Sequence, residues 1–172
     1  MKKRLAPLLV CFCLFALSGA AQGRRPPLVI ANRAALFTEL IADLSPTDAE
    51  KLFRLYRIDL KLTRVSPNRH EPDVKDSLLR VNTAADQLQF FKNRYKTMLL
   101  GGRFSSTKAS FAGMRVGVAQ DVFCRTLRLK SGYDTYAVLD GEENFLQLTF
   151  RFAGGKLKQV EYKMLNPLEE ID

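Results

Sequence analysis

The chain has 172 residues, among them 27 Lys or Arg, 18 Asp or Glu, three Cys and a single His, for a formal charge of +9. That length suits one domain with its own core, and 47% hydrophobic with 26% charged residues excludes both a disordered tail and a multi-span membrane protein. The basic balance invites a nucleic-acid reading, which the first twenty residues withdraw.

Lys2, Lys3 and Arg4 precede an apolar run from Leu5 to Leu17 and the small residues Ser18, Gly19, Ala20 and Ala21. This is the pattern of a secretory signal, with a core too short for a permanent membrane helix. The expectation is a signal peptide over residues 1–21 and export to the periplasm or the medium. The mature chain would have 151 residues, with 24 basic and 18 acidic side chains. Cys11 and Cys13 leave with the signal, and neither stands in a lipoprotein cleavage context. Cys124 is then alone, so no internal disulfide is expected and stability must come from packing.

Residues 22–30 read as a leader, rich in Arg and Pro with little to pack. From the candidate cap Asn32, the spacing of Leu36, Phe37, Leu40, Ile41 and Leu44 predicts a helix with one buried stripe. Ser45-Pro46-Thr47-Asp48 then signals a second helix, starting at Pro46 and running to about residue 57. On it Leu52, Leu55 and Tyr56 share one face, and Lys51, Arg54 and Arg57 form a basic stripe on the other. Residues 58–63 alternate as a strand would, and the continuation is open between helix and strand. Ser66 to Asp73 is a polar connection bounded by two prolines, a candidate hinge.

Residues 87–111 carry two signals. Thr83-x-x-Asp86 resembles a helix cap, and Leu88, Phe91, Tyr95, Met98 and Leu99 fit a helical stripe. Gly101-Gly102 between two extended runs instead predicts a hairpin turning at that pair, and strands are favoured. A short helix is predicted over Val118–Leu129, burying Val118, Val122, Phe123, Thr126 and Leu127 and leaving Cys124 at the edge of that face. A strand from Tyr133 to Leu139, a loop over residues 140–144, the alternation Leu146, Leu148, Phe150, Phe152, and Gly154-Gly155 before Leu157–Met164 give a meander with one packed and one wet face.

The predicted fold is α+β: helices in front, then an antiparallel sheet, with a short helix leading into a three-stranded meander. Residues 31–172 form one domain, divided into a helical front (31–65), a polar connection (66–76) and a sheet-rich part (77–166).

The run Gly113-Met114-Arg115-Val116-Gly117, then a short helix, an aromatic strand, a loop, Leu146 to Phe152, and Gly155-Lys156-Leu157 with Val160, resembles the small periplasmic and outer-membrane domains of the BamE (SmpA/OmlA) type. The resemblance covers residues 113–164. After the helix the chain has Leu127-Arg128-Leu129-Lys130 where those domains carry Leu-Gly-x-Pro, and it lacks their lipobox cysteine. The chain is also similar to exported bacterial proteins of comparable size. The resemblance implies a non-catalytic adaptor that binds protein.

The residue types for chemistry are sparse. His70 lies in the polar connection between Arg69 and Glu71, and a Cys124/His70 pair is the one nucleophilic arrangement available on paper. Asp140, Glu142, Glu143 and Asn144 offer oxygen ligands but lack EF-hand spacing, so a solvated loop is expected. His70, Glu71 and Asp73 lack zinc-site spacing, and neither a P-loop nor a G-x-G-x-x-G occurs. No catalytic residue, cofactor or metal is therefore expected. Charge is uneven: residues 86–130 carry nine basic and two acidic side chains, residues 131–172 four basic and eight acidic. This asymmetry suits an anionic partner.

The sequence thus predicts an exported, non-enzymatic interaction domain, meeting a protein or an anionic envelope component, with Lys51, Arg54 and Arg57 as candidate contacts. No nucleic acid and no membrane-spanning helix in the mature chain are expected. The alternatives are a small hydrolase or thiol enzyme using Cys124 or His70, and a small-ligand carrier exploiting the strand aromatics.

Overall fold

A computed structural model describes residues 25–31, 33–44, 46–140 and 146–164, without the side chains of residues 43 and 46–48. The signal segment, the candidate caps Asn32 and Ser45, and the loop residues Glu142, Glu143 and Asn144 lie outside the described residues. The elements run β1 (Leu28–Ile30), α1 (Ala34–Ile41) with a 3₁₀ turn (Ala42–Leu44), α2 (Pro46–Leu55), β2 (Leu60–Pro67), β3 (Lys75–Asn82), β4 (Gln87–Lys92), β5 (Thr97–Phe104), α3 (Gln120–Thr126), β6 (Thr135–Leu139), β7 (Leu146–Ala153) and β8 (Lys156–Met164). They build a mixed α/β fold dominated by one eight-stranded sheet of order β1-β6-β7-β8-β5-β4-β3-β2, antiparallel except where β1 runs parallel to β6.

Two expectations are corrected by this topology. The helices do not precede the whole sheet, because the end of the expected leader is strand β1, with Leu28, Val29 and Ile30 opposite Tyr136, Ala137 and Val138. Three consecutive aliphatic residues suffice to hold that edge, and Ile30 is buried. The β4–β5 turn is also not at Gly101-Gly102. It lies at Asn93–Lys96, where the Asn93 side chain accepts from the amides of Tyr95 and Lys96 and the Asn93 amide donates to the Lys96 carbonyl. Both glycines lie inside β5. Residues 58–65, left open by the sequence, contribute the turn after α2 and most of β2. Residues 66–76 close the β2–β3 hairpin.

The core lies on one side of the sheet. Across the strands run the rows Ile30, Val138, Leu148, Tyr162, Gly102, Leu88, Val81 and, one register step away, Tyr136, Phe150, Val160, Phe104. Helices α1, α2 and α3 pack on this side. Phe37 and Leu40 of α1 and Leu52 of α2 are buried there, and the Phe53 ring meets Phe90 edge-on at 5.6 Å. Phe123 of α3 contacts Tyr136, Phe150 and Phe152 at 4.9–5.4 Å between centroids. Phe111, from the segment after β5, fills the space between Phe104 and Phe150.

Helix ends depart from expectation in instructive ways. Leu55, predicted on the buried face of α2, is 55% exposed, because α2 ends there and the half-buried side chain is Phe53 instead. Val122 is 41% exposed, and the fully buried pair on α3 is Phe123 and Cys124. α3 is shorter than the predicted Val118–Leu129, since Ala119 is extended and Arg128 adopts φ +52°.

Edge strand β2 protects itself. It carries Lys61, Arg64 and a terminal Pro67, and a bulge at Thr63 interrupts its register with β3, devices that discourage pairing with another chain.

Candidate functional site

Among the described residues no helix covers the second face of the sheet, and its side chains are those that alternate with the core. One row runs Lys61, Arg80, Gln89, Gly101, Lys163, Gln147, Leu139, and the next Asn82, Gln87, Arg103, Glu161, Thr149, Ala137. Each charged member sits between apolar or glycine neighbours, as in Leu79-Arg80-Val81, Gly102-Arg103-Phe104 and Tyr162-Lys163-Met164. Alternation with buried neighbours forces these long cations outward onto one surface.

That surface is concave. A groove of about 770 Å³ lies over β3, β4, β5 and β8, lined by Arg80, Gln87, Gln89, Gly101, Arg103 and Lys163 among others. A second depression of about 940 Å³ continues over β6 and β7 towards Arg25 and Asp134, sharing Glu161 and Lys163 with the first. Gly101 lowers the floor between Gln89 and Lys163, and a Cβ there would touch only the Tyr162 carbonyl at 3.5 Å. Gly102 faces the other way, where a Cβ would come 2.5 Å from Leu88 Cδ2.

Among the described residues the groove is cationic because its one carboxylate is engaged. Glu161 stands opposite Arg103 in register yet accepts from Arg151 at 3.3 Å. Arg80, Arg103 and Lys163 form no ion pair among the described residues. Three positive heads with neighbouring amides of Asn82, Gln87 and Gln89 therefore face solvent together. Guanidinium forks and amide donors on a shallow floor are suited to carboxylates presented by an extended chain.

The residues singled out from sequence lie elsewhere. Lys51, Arg54 and Arg57 are exposed on α2 and the turn after it, in the helical layer on the opposite side from the groove, and Arg54 pairs with Glu50 at 3.6 Å. His70 is exposed in the β2–β3 loop, its amide donating to Asn68 Oδ1. Cys124 is buried, with its Sγ 3.2 Å from the Tyr136 hydroxyl. That hydroxyl also donates to the Lys130 carbonyl, and burial first, then the Cys124 contact, pushes the phenol up. Cys124 sits under β6 and His70 beside β2, six strand positions apart, or ~29 Å at the usual ~4.8 Å spacing. The structure does not bring them together. The strand aromatics Tyr136, Phe150 and Phe152 pack in the core against one another or against Phe111 and Phe123.

A second polar centre is structural. Asp86, 1% exposed, accepts from the Tyr56 hydroxyl, the amides of Ser105 and Ser106, and the Ser106 hydroxyl. Burial alone would raise this carboxyl, but these donors outweigh it and hold the group below its ordinary value. On the other flank of α2, Glu50 accepts from Thr97 and Lys92, which lower its carboxyl in that order.

Among the described residues no group of three His, Cys, Asp or Glu side chains is arranged to hold a metal ion, and no helix is long and apolar enough to cross a membrane. Comparison with protein-family models, with curated proteins and with solved structures gave no match.

Proposed function

We propose that this chain is an exported, non-enzymatic interaction domain of the bacterial cell envelope whose open sheet face binds an acidic segment of a protein partner. The observation that carries the reading is the convergence of Arg80, Arg103 and Lys163, without ion-pair partners among the described residues, on one groove floored by Gly101. Export rests on the signal pattern of residues 1–21. An adaptor role is in keeping with the BamE-type resemblance. The chain has the order α3, β6, β7, β8, the helix-then-meander order on which that resemblance rests.

The test is binding of a labelled hexaglutamate peptide, followed by fluorescence anisotropy at low salt. The R80E/R103E/K163E variant should bind at least about tenfold more weakly, because each substitution replaces attraction with repulsion on a shared surface. The R54E/R57E variant should bind like the parent. Weakening by the second variant alone would move the contact to the helical layer and overturn the groove assignment.

A further inference from the structure

The groove has a candidate occupant in its own chain. Met164, the last residue of β8, lies on its rim. The next eight residues, Leu165-Asn166-Pro167-Leu168-Glu169-Glu170-Ile171-Asp172, carry three carboxylates and no cation. Three groove cations have no ion-pair partner among the described residues, so the charges are opposite in sign and equal in number. The reach also matches. Glu169 is the fifth residue after Met164, ~16 Å away along an extended chain. From β8 across β5 and β4 to β3 there are three strand spacings, ~14 Å. The edge of the sheet suits it less: β2 is bulged and ends in proline, which discourages strand addition there.

We propose that residues 165–172 bind the cationic groove of the same molecule as an acidic peptide, so that an external acidic partner binds only by displacing them. This rests on the reading of the groove as the binding face. The segment supplies the acids Glu169, Glu170 and Asp172 against the cations Arg80, Arg103 and Lys163, with Leu165 and Leu168 as its apolar members. The segment works by effective concentration: tethered to the groove rim, it competes as an intramolecular ligand even where its intrinsic affinity is weak.

The experiment compares the full chain with its E169Q/E170Q/D172N variant, using labelled hexaglutamate as the probe. Neutralising the segment should tighten probe binding about tenfold, and adding a synthetic peptide of residues 165–172 should compete the probe off the variant. R80E in the full chain should weaken the probe in either background. Unchanged probe affinity in the neutralised variant, with R80E still weakening it, would overturn the self-docking while leaving the groove reading in place. No probe binding by either protein would overturn both. If the gain on neutralisation depends on protein concentration, the segment acts on a second copy and the intramolecular proposal fails.

Discussion

The Tyr56 hydroxyl donates to Asp86 over 2.8 Å, tying the end of α2 to the β3–β4 turn. Because the same carboxylate receives Ser105 and Ser106, one buried acid holds three separate stretches of chain. Replacing it with Ala leaves those donors buried without an acceptor. The expected cost is about 3 kcal/mol or more, read as a lower denaturation midpoint with an unchanged m-value. The folded-state carboxyl lies below its ordinary value of 3.8, so its contribution is present above that pH and is lost as pH falls through the lower folded value. Acid titration of Asp86→Asn should lack this part of the parent's loss of stability.

The paired glycines of β5 should respond oppositely to the same change. Gly102→Ala would place a Cβ 2.5 Å from Leu88 Cδ2 and 3.2 Å from the Gln87 carbonyl, and should destabilise by about 1–3 kcal/mol. Gly101→Ala meets only the Tyr162 carbonyl at 3.5 Å and should be near neutral in stability. Thermal melts of the two variants side by side decide this, and equal losses would contradict the assignment of the two glycines to opposite faces.

Arg128 closes α3 at φ +52°, with the Leu129 amide donating back to the Cys124 carbonyl at 2.8 Å. A side chain in this conformation costs free energy that glycine does not. Arg128→Gly should therefore stabilise the protein by about 0.5–1 kcal/mol, visible as a melting temperature raised by a few degrees.

Cys124 should be inert in the folded protein. Its burial beneath Tyr136 means that a thiol reagent reaches it only after local or global opening. Labelling by an aromatic disulfide reagent should be at least about a hundredfold slower in buffer than in denaturant. Comparable rates would show the thiol to be accessible.

The elements most legible in the sequence were those whose signal is local. The alternation of Leu146 to Phe152 and the turn at Gly154-Gly155 are both present as read, the two glycines having φ of +58° and +69° as a tight hairpin requires. The Thr83-x-x-Asp86 spacing was informative in kind but not in context. The Thr83 hydroxyl does accept from the Asp86 amide, as a helix cap would, yet it closes a β-turn, because the strands on either side have partners that outweigh local helical preference. Strand β1 is poorly legible because its local signal is only the three aliphatic residues Leu28-Val29-Ile30, and its pairing with β6 joins residues more than a hundred positions apart. The groove was half legible. Arg80, Arg103 and Lys163 each show the outward step of a strand, but only the pairing of β5 with β8 brings them onto one surface. The helical stripe Lys51, Arg54, Arg57 was visible because three cations on one wheel face need no tertiary information.

Pairing of β5 with β8 is also the closure on which the whole sheet depends. Strands β2 to β5 and β6 to β8 are each chains of neighbouring hairpins, which form by local contacts, whereas Gly101–Phe104 must find Lys163–Val160 across 56 to 62 residues. Such distant contacts are slow to make and set the pace of folding. The cationic groove straddles this seam, taking its lining from β3, β4 and β5 on one side and from β8 on the other. Whatever fills it acts as a clasp across the two halves, slowing their separation more than it speeds their meeting, so occupancy should register first in the unfolding rate.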